Sequence, residues 1–309
     1  MVMFRFFGQI DIIENGCHII QYLVLKQEQI NLLTENINNM FAILLSTYNG
    51  EKFIKEQINS LLTQTFTSFV LYIRDDGSSD NTPNILDEYA LKYDNIIILN
   101  DAERRRGACN SFLWLLKEVE ADYYMFCDQD DVWLPNKVQI SFDAIKAEEM
   151  RSSEKPILIH TDLIITDANL NIKAPSLWKH DKTDPYIITR KYLKLVNYIT
   201  GCTMLFNKRA RDLAIEDNKF ALMHDFWVGI SVDSVNGVII SLPIPTILYR
   251  QHANNTIGAS KKEKRYLLER YLHFPDFNYS NRLYRMLNSR YNIGILRYIL
   301  LRFRFYLSK

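Results

Sequence analysis

Short, mainly apolar runs recur along the chain from residue 41 and are separated by segments of mixed character. Four of them are five or six residues long: FAILLS (41–46), FVLYIR (69–74), NIIIL (95–99) and DYYMF (122–126). A continuous apolar run of this length is typical of a parallel strand that is buried on both faces. The pattern predicts four such strands.

The segments between these runs have helical spacing. In EKFIKEQINSLLTQ, one face of a helix would carry Ile54, Ile58, Leu61 and Leu62. DNTPNILDEYALKY has a proline, Pro83, near its start, as helices often do, and ACNSFLWLLKEV is rich in apolar residues. Strands that alternate with helices predict an α/β fold, a doubly wound and mostly parallel sheet with helices on both faces.

The alternation loosens after about residue 150. PILIHTDLIITD predicts one or two strands, GCTMLFNK another strand, and HDFWVGISVDSV a helix. GVIISLPIPTILYR has an extended pattern, and Pro243 and Pro245 favour a sheet edge or a crossing segment. Residues 41–260 contain no internal repeat and no low-complexity linker, so we interpret them as one domain.

The two ends of the chain differ from this domain. Residues 1–39 lack the alternation and end just before Met40, so we interpret them as a loosely packed extension or a misassigned start. Residues 261–309 carry twelve Lys or Arg against three Asp or Glu, which leaves residues 1–260 with a net charge of about −8. An acidic body with a basic tail does not fit a generic nucleic-acid binder, and we expect no nucleic-acid partner.

The composition is that of an ordinary globular protein, with 48% hydrophobic and 24% charged residues among 309. The four cysteines form no C-x-x-C pair, which argues for a reducing compartment and against a disulfide framework or a structural zinc site. No run approaches the roughly eighteen apolar residues of a membrane span, and acidic residues interrupt the N-terminal apolar stretch. These features predict a cytoplasmic protein.

Polar clusters follow three of the four predicted strands. They are STYNG after the first strand, RDDGSSDNT after the second and CDQDD after the fourth. A single acidic turn is usually a solvated loop, since Asp, Gly and Ser are turn residues. Ligands of open α/β sheets, however, bind outside the carboxyl ends of the strands. Three clusters at one edge of the sheet therefore predict a binding site.

The third cluster sets Asp128, Asp130 and Asp131 within four positions. Like charges this close raise each other's pKa unless a cation or a hydrogen-bond network compensates. The chain has neither a G-x-G-x-x-G fingerprint nor a phosphate-binding P-loop. Asp128 and Asp130 suit oxygen ligation of Mg²⁺ or Mn²⁺, and a nucleotide diphosphate could complete the shell. The sequence predicts a divalent metal as cofactor.

Three segments, ILLSTYNGEKFIKEQINSLLTQT, IRDDGSSDNT and FCDQDDVWLPNK, together resemble the family 2 glycosyltransferases of GT-A fold. The resemblance covers roughly residues 41–255 and is strongest to rhamnosyltransferase-like members that build bacterial surface polysaccharides such as O-antigens and capsules. It implies a nucleotide-sugar donor, a divalent metal and inversion at the sugar carbon.

The resemblance also implies roles on the donor side of the site. Thr47, Tyr48 and Asn49 match the nucleotide contacts that follow the first strand. Asp75 and Asp76 match the carboxylates of the DDGS segment, which reads the base.

Further along the chain, Asp128 and Asp130 match the D-x-D motif. The match implies that both carboxylates bind the metal and that Asp128 also contacts the donor. His252, in YRQHANNTIGA, matches a segment that approaches the metal or the diphosphate. GCTMLFNK matches the strand on the acceptor side, and Asp225, in MHDFW, matches the general base. Many members carry Glu-Asp at that position, whereas here His224 precedes Asp225.

The implied donor is dTDP-rhamnose in the first place, with UDP-hexoses and UDP-N-acetylhexosamines as alternatives, and the implied acceptor is a growing, lipid-linked glycan. The basic, aromatic tail suits the surface of an anionic membrane, which predicts a peripheral protein on the inner face of the plasma membrane. The alternative is an amphipathic helix that docks on the body or on a second subunit.

Two other interpretations start from the same residues. DQDDV also fits the nucleophile motif of haloacid-dehalogenase-type phosphatases, but that motif follows the first strand and needs a Gly-Asp loop, which this chain lacks. The other is a non-catalytic scaffold that binds assembly partners. The intact D-x-D motif and the candidate base argue against it.

Overall fold

The structure is a computed structural model of the chain. It describes residues 41–101, 103–104, 106–181, 185, 192–252 and 277–307. The predictions made for residues 1–39 lie outside these ranges, as does the boundary between residues 260 and 261, so the domain limits stay predictions.

The strands in the described part of the chain are β1 Phe41–Thr47, β2 Val70–Asp75, β3 Ile96–Ile98, β4 Tyr123–Cys127, β5 Val132–Trp133, β6 Ile157–Thr166, β7 Ile172–Ala174, β8 Met204–Asn207 and β9 Val238–Arg250. They form one mixed sheet in the order β3-β2-β1-β4-β8-β6-β9-β5, with β7 attached to β6. The strands β3, β2, β1 and β4 are parallel to one another, and β8 runs antiparallel to both β4 and β6.

Helices cover both faces of this sheet. In the described ranges they are α1 Ile54–Leu62, α2 Thr82–Lys92, α3 Ala108–Glu118, α4 Lys137–Ser152, α5 Leu177–Asp181, α6 Lys208–Ile215, α7 His224–Ser234, α8 Phe277–Tyr291 and α9 Ile295–Leu307. The predicted α/β fold with a mostly parallel sheet, helices on both faces and a helical C-terminal tail is confirmed.

The apolar runs are continuous because their strands are buried on both faces. In β1, Ala42 and Leu44 belong to the core on one side of the sheet, whereas Ile43 and Leu45 belong to the core on the other. All four side chains are inaccessible to solvent. The predicted first, second, third and fourth strands are β1 to β4.

The proline-containing strand, β9, differs from the prediction. It lies between β6 and β5, so it is not the last strand of the sheet. β5 pairs only with Ile247 and Leu248, however, and the β6–β9 register shifts on either side of the pair Asp162–Pro245. The two prolines are accommodated because the regular ladder is interrupted at this point.

The C-terminal helix α8 packs on the body, on helices α6 and α7. The Arg290 guanidinium lies 4.1 Å from the Trp227 ring and donates to the carbonyl oxygens of Leu213 and Glu216, both at 2.6 Å. The Tyr291 hydroxyl lies 2.6 Å from a carboxylate oxygen of Asp233. The sequence analysis left open whether the tail lies on a membrane or docks on the body or on a second subunit. Helix α8 docks on the body. No helix in the described ranges is long and apolar enough to cross a membrane.

Candidate active site

The parallel order of β2, β1 and β4 brings the three polar clusters together. Thr47 at the end of β1 pairs with Asp75 at the end of β2, and Cys127 ends β4 beside Leu45. The side chain of Gln129, the middle residue of D-x-D, then links the first and third clusters. Its Oε1 accepts from the Thr47 hydroxyl at 2.6 Å and from the Tyr48 N–H at 2.8 Å.

The second cluster is joined to the first through Asn49. This residue has a φ of 48°, in the left-handed region that Asn tolerates better than most residues. Its N–H donates to the Ser78 hydroxyl at 2.8 Å, and its Oδ1 accepts from the Ser79 N–H at 2.9 Å. The Ser78 hydroxyl in turn donates to Asp75 at 2.5 Å. Four of the predicted donor-side residues, Thr47, Tyr48, Asn49 and Asp75, therefore lie in one hydrogen-bonded loop system.

Asp76, the fifth, has a more enclosed setting. Its carboxylate pairs with the buried Arg74 guanidinium at 2.6 Å. It also accepts from the backbone N–H groups of Arg106 and Gly107, each at 2.8 Å, where helix α3 starts. A carboxylate is favoured at a helix N-terminus. Asp76 thus fixes α3 to the end of β2, and its contact with a nucleotide base stays a prediction.

The structure brings His252 to the D-x-D motif. Its Nε2 lies 2.7 Å from Oδ2 of Asp130, although 121 residues separate the two along the chain. The contact forms because β9 ends beside the loop that follows β4. The predicted grouping of Asp130 with His252 is therefore present in the folded chain.

Arg250, which the sequence analysis did not single out, holds this loop in place. Its Nε donates to the Asp130 carbonyl oxygen at 2.7 Å, and its backbone N–H donates to Oδ1 of Asp131 at 3.1 Å. The guanidinium also pairs with Glu56 on α1 and lies 4.5 Å from the Phe53 ring. The signal that could have found it is the YRQH segment, where an arginine stands two positions before the predicted histidine ligand.

A second group of potential ligand atoms lies next to this pair. Three potential ligand atoms, a carboxylate oxygen of Asp128, one of Asp131 and the sulfur of Cys202, lie within 4.8 Å of one another. Burial, followed by the negative charges of Asp130 and Asp225, raises the pKa of Asp128 to about 7. Burial and the neighbouring carboxylates also raise the pKa of Asp131. A concentration of carboxylates that is electrostatically unfavourable by itself fits a bound cation.

The side of the cluster that faces the core carries a buried lysine. The Lys137 side chain is inaccessible to solvent, and its ammonium group lies 4.4 Å from the Trp133 ring. Among the described residues, its Nζ has no hydrogen-bond partner. Burial lowers the pKa of Lys137 to about 8, against the attraction of Asp131.

The predicted general base, Asp225, lies in the first turn of α7 and is 9% exposed. Oδ2 accepts from the Gly201 N–H at 3.2 Å, and Oδ1 accepts from the Phe226 N–H at 2.6 Å. Burial raises the pKa of Asp225 to about 6, although these bonds and one from Asn197 lower it. A carboxyl with a pKa near neutrality suits proton abstraction. Met223, not Asp225, occupies the N-cap position.

His224, the alternative base, has a different environment. Its ring packs against Phe112 at 4.2 Å and Phe126 at 4.8 Å between centroids. Neither ring nitrogen has a hydrogen-bond partner within the described part of the chain. Burial lowers the pKa of His224 to about 3, so the imidazole is neutral at physiological pH. It packs in the core beside the base.

Comparison with known proteins identifies the class of protein that this fold and site define. A family model described as glycosyl transferase family 2 matches residues 42–214, more than half of the chain. The chain therefore belongs to the family 2 glycosyltransferases, as its motifs indicate. Membership sets aside the phosphatase and scaffold interpretations, and the protein is a glycosyltransferase.

Two relatives and one solved structure illustrate which proteins this chain is similar to. The chain is 31% identical to the dTDP-rhamnosyl transferase RfbG of Shigella flexneri over 232 residues, 70% of this chain and 74% of that protein. It is 34% identical over 101 residues to the Escherichia coli UDP-Glc:alpha-D-GlcNAc-diphosphoundecaprenol beta-1,3-glucosyltransferase WfgD, 33% of this chain and 39% of that protein. Among solved structures, S. aureus TarS 1-349 in complex with UDP-GlcNAc superimposes with a TM-score of 0.49 and 18% identity, covering 82% of this chain and 73% of TarS.

Proposed function

We propose that the protein is an inverting, metal-dependent glycosyltransferase that moves rhamnose from dTDP-rhamnose to a growing, lipid-linked surface glycan. The choice of rhamnose is supported by the 31% identity to a dTDP-rhamnosyl transferase over most of both chains. The lipid-linked acceptor is supported by the shorter match to an enzyme whose acceptor is a diphosphoundecaprenol-linked sugar. Transfer from a UDP-hexose or UDP-N-acetylhexosamine is the alternative within the same family.

The nucleotide end of the donor would bind between the loops that follow β1 and β2. Thr47, Tyr48 and Asn49 border one side, and Asp75 borders the other. Gln129 and Ser78 cross-link these loops through hydrogen bonds within the protein. A preorganised site loses less conformational entropy when the nucleotide binds.

Asp128 and Asp130 would hold a divalent cation, Mg²⁺ or Mn²⁺, with His252 beside Asp130. The fit rests on the clustered carboxylates of Asp128 and Asp131 and on the 2.7 Å contact between His252 and Asp130. Oxygen ligands suit both ions, and Cys202 is a poor partner because burial raises the pKa of its thiol. When bound, the cation would neutralise charge on the diphosphate leaving group.

Asp225 would accept the proton of the acceptor hydroxyl. As that oxygen forms its bond to the anomeric carbon, the bond from the same carbon to the diphosphate breaks, and its electron pair leaves with the diphosphate. Attack from the face opposite the leaving group inverts the configuration. The observation that carries the proposal is that the folded chain brings His252 to within 2.7 Å of Asp130 in the D-x-D motif and places the buried carboxylate of Asp225 in the first turn of α7.

The decisive experiment is a donor panel. Purified protein, supplied with Mn²⁺, would be incubated with dTDP-rhamnose, UDP-glucose, UDP-galactose and UDP-N-acetylglucosamine, and release of the nucleoside diphosphate would be measured. We expect the greatest turnover with dTDP-rhamnose, and Asp225→Asn serves as the background control. Preferential turnover of a UDP-sugar would refute the choice of rhamnose while leaving the enzyme class intact.

A further inference from the structure

The outer face of α9 exposes a continuous apolar stripe. Leu296, Ile299, Leu300 and Phe303 follow the i, i+3, i+4, i+7 spacing of one helix face, and their exposed fractions are 75%, 52%, 56% and 58%. The opposite face of the same helix is already used. Tyr298 and Phe305 are buried in the core, and Tyr298 contacts Ser280 of α8. A docked helix therefore carries a second apolar face that the body does not cover.

The charges around this stripe have one sign. Residues 277–307 contain six arginines and no Asp or Glu. Arg297 and Arg304 are exposed and stand three positions before and four positions after Leu300, so both lie along the edge of the stripe that Leu300 forms. Arg302 instead points inward, to the Ser280 hydroxyl. The stripe is bordered by cations.

From this juxtaposition we propose that the outer face of α9 is a docking surface for anionic lipid. An apolar helix face bordered by arginines suits the boundary between head groups and acyl chains, where the apolar side chains enter the bilayer and the guanidinium groups meet lipid phosphates. A second copy of this chain is a less suitable partner for this face. Two such faces would bring arginines together, and residues 277–307 contain no acidic residue to pair with them.

Because the inner face of α9 is docked, the apolar stripe has a fixed position relative to the catalytic domain. α9 packs on α8 through Tyr298, and α8 packs on α7, whose first turn carries Asp225. Lipid bound to α9 would therefore be linked to the candidate base through packed helices. The inference goes beyond the proposed transfer and does not need it, because lipid binding requires neither donor nor acceptor.

Flotation of the full-length protein with vesicles tests the inference. We expect the wild type to float with phosphatidylcholine vesicles that contain phosphatidylglycerol and to bind pure phosphatidylcholine at least about tenfold more weakly, since each arginine near an anionic surface contributes about fivefold. Leu296→Glu with Leu300→Glu should reduce binding to anionic vesicles about tenfold or more. Arg297→Glu with Arg304→Glu should reduce it by a similar factor and remove the preference for anionic lipid.

Matched variants control for charge and folding. Leu91→Glu with Met150→Glu places the same substitutions at side chains that are 81% and 84% exposed on α2 and α4. Lys117→Glu with Arg151→Glu makes the same charge change at exposed positions of α3 and α4. Both controls should float like the wild type, and all variants should keep its melting temperature. The inference is wrong if the wild type does not float, if the α9 variants float like the controls, or if they only convert a dimer into a monomer.

Discussion

The two halves of the candidate site are built differently. The donor half lies where β1, β2 and β4 end, and each polar cluster directly follows its strand in the sequence. The half that supplies Asp225, Arg250 and His252 comes from segments more than 90 residues further on, attached through antiparallel strands and an irregular β6–β9 pairing. The first half is determined by local order along the chain, and the second depends on long-range contacts.

The two halves meet at the D-x-D loop. Gln129 ties this loop to the donor half through Thr47 and Tyr48. Arg250 and His252 tie it to the other half through the backbone and side chain of Asp130. Substitutions on the two sides of the loop can therefore separate binding of the donor nucleotide from metal binding and proton transfer.

The largest effect is expected at the junction itself. Asp130→Ala removes a carboxylate placed to hold the cation, so transfer should fall to background while the fold is retained. EDTA should have the same effect on the wild type, and added Mn²⁺ or Mg²⁺ should restore activity. Turnover with the donor and the melting temperature provide the measurements.

Asp143→Ala, at an exposed carboxylate of α4, is the control and should behave like the wild type. Full activity of the wild-type protein in EDTA would contradict the assignment of the metal.

The next largest effect belongs to the acceptor half. Asp225→Asn keeps the shape of the side chain but cannot take a proton, so turnover should fall by about two to four orders of magnitude. Donor binding should not change. The melting temperature should change little, since the relief of not burying an ionised carboxylate offsets the loss of one of its two backbone N–H bonds.

The pH profile gives an independent measurement of the same residue. The base form of Asp225 predominates above its pKa of about 6, so kcat/KM should fall about tenfold per pH unit below that value. Asp233→Asn, in the same helix, should retain the wild-type turnover. Near wild-type turnover of the Asp225→Asn variant would assign the base to another residue.

Arg250→Lys tests whether the long-range contacts hold the D-x-D loop. A lysine keeps the charge but lacks the planar fork that bonds the carbonyl oxygens of Asp130 and Ala168 together with Glu56. We expect kcat/KM to fall about 30-fold to 100-fold, with a higher Mn²⁺ requirement, and stability to fall by about 1–3 kcal/mol. Metal titrations of the activity and thermal melts would measure both.

The matched control is Arg209→Lys, at a half-exposed residue that pairs with Glu154 on the surface and should tolerate the change. An unchanged Mn²⁺ requirement in Arg250→Lys would show that the loop is held without the arginine.

The sequence predicted where the strands and polar clusters of the donor half lie, because buried parallel strands leave an unbroken apolar run and their polar termini are adjacent in the sequence. FAILLS, FVLYIR and DYYMF are β1, β2 and β4, with ends that differ by one residue. Asp130 and His252 were grouped through the family resemblance, and the structure brings them together.

Arg250 and Lys137 were missed for a physical reason. Both are charged side chains that become buried only through contacts with distant segments. Hydrophobic periodicity assigns such residues to the surface. The position of β9 within the sheet was missed for a related reason, since its prolines indicate an edge and the sequence does not show where the ladder is interrupted.

The smallest of the expected effects concerns Gly201, which lies beside Asp225. A Cβ at this position would lie 2.7 Å from Nε2 of His224 and 3.5 Å from Cβ of Asp225. Gly201→Ala should therefore push the His224 ring and shift the neighbouring carboxylate, which accepts from the Gly201 N–H. Because small displacements of catalytic groups are costly, we expect about a tenfold loss of turnover with little change in donor KM. Gly294→Ala is the matched control, since a Cβ there meets no atom within 4 Å and should leave turnover unchanged. Equal turnover of the two variants would show that the base tolerates displacement. The long-range contacts of the acceptor half would then not fix the position of the base.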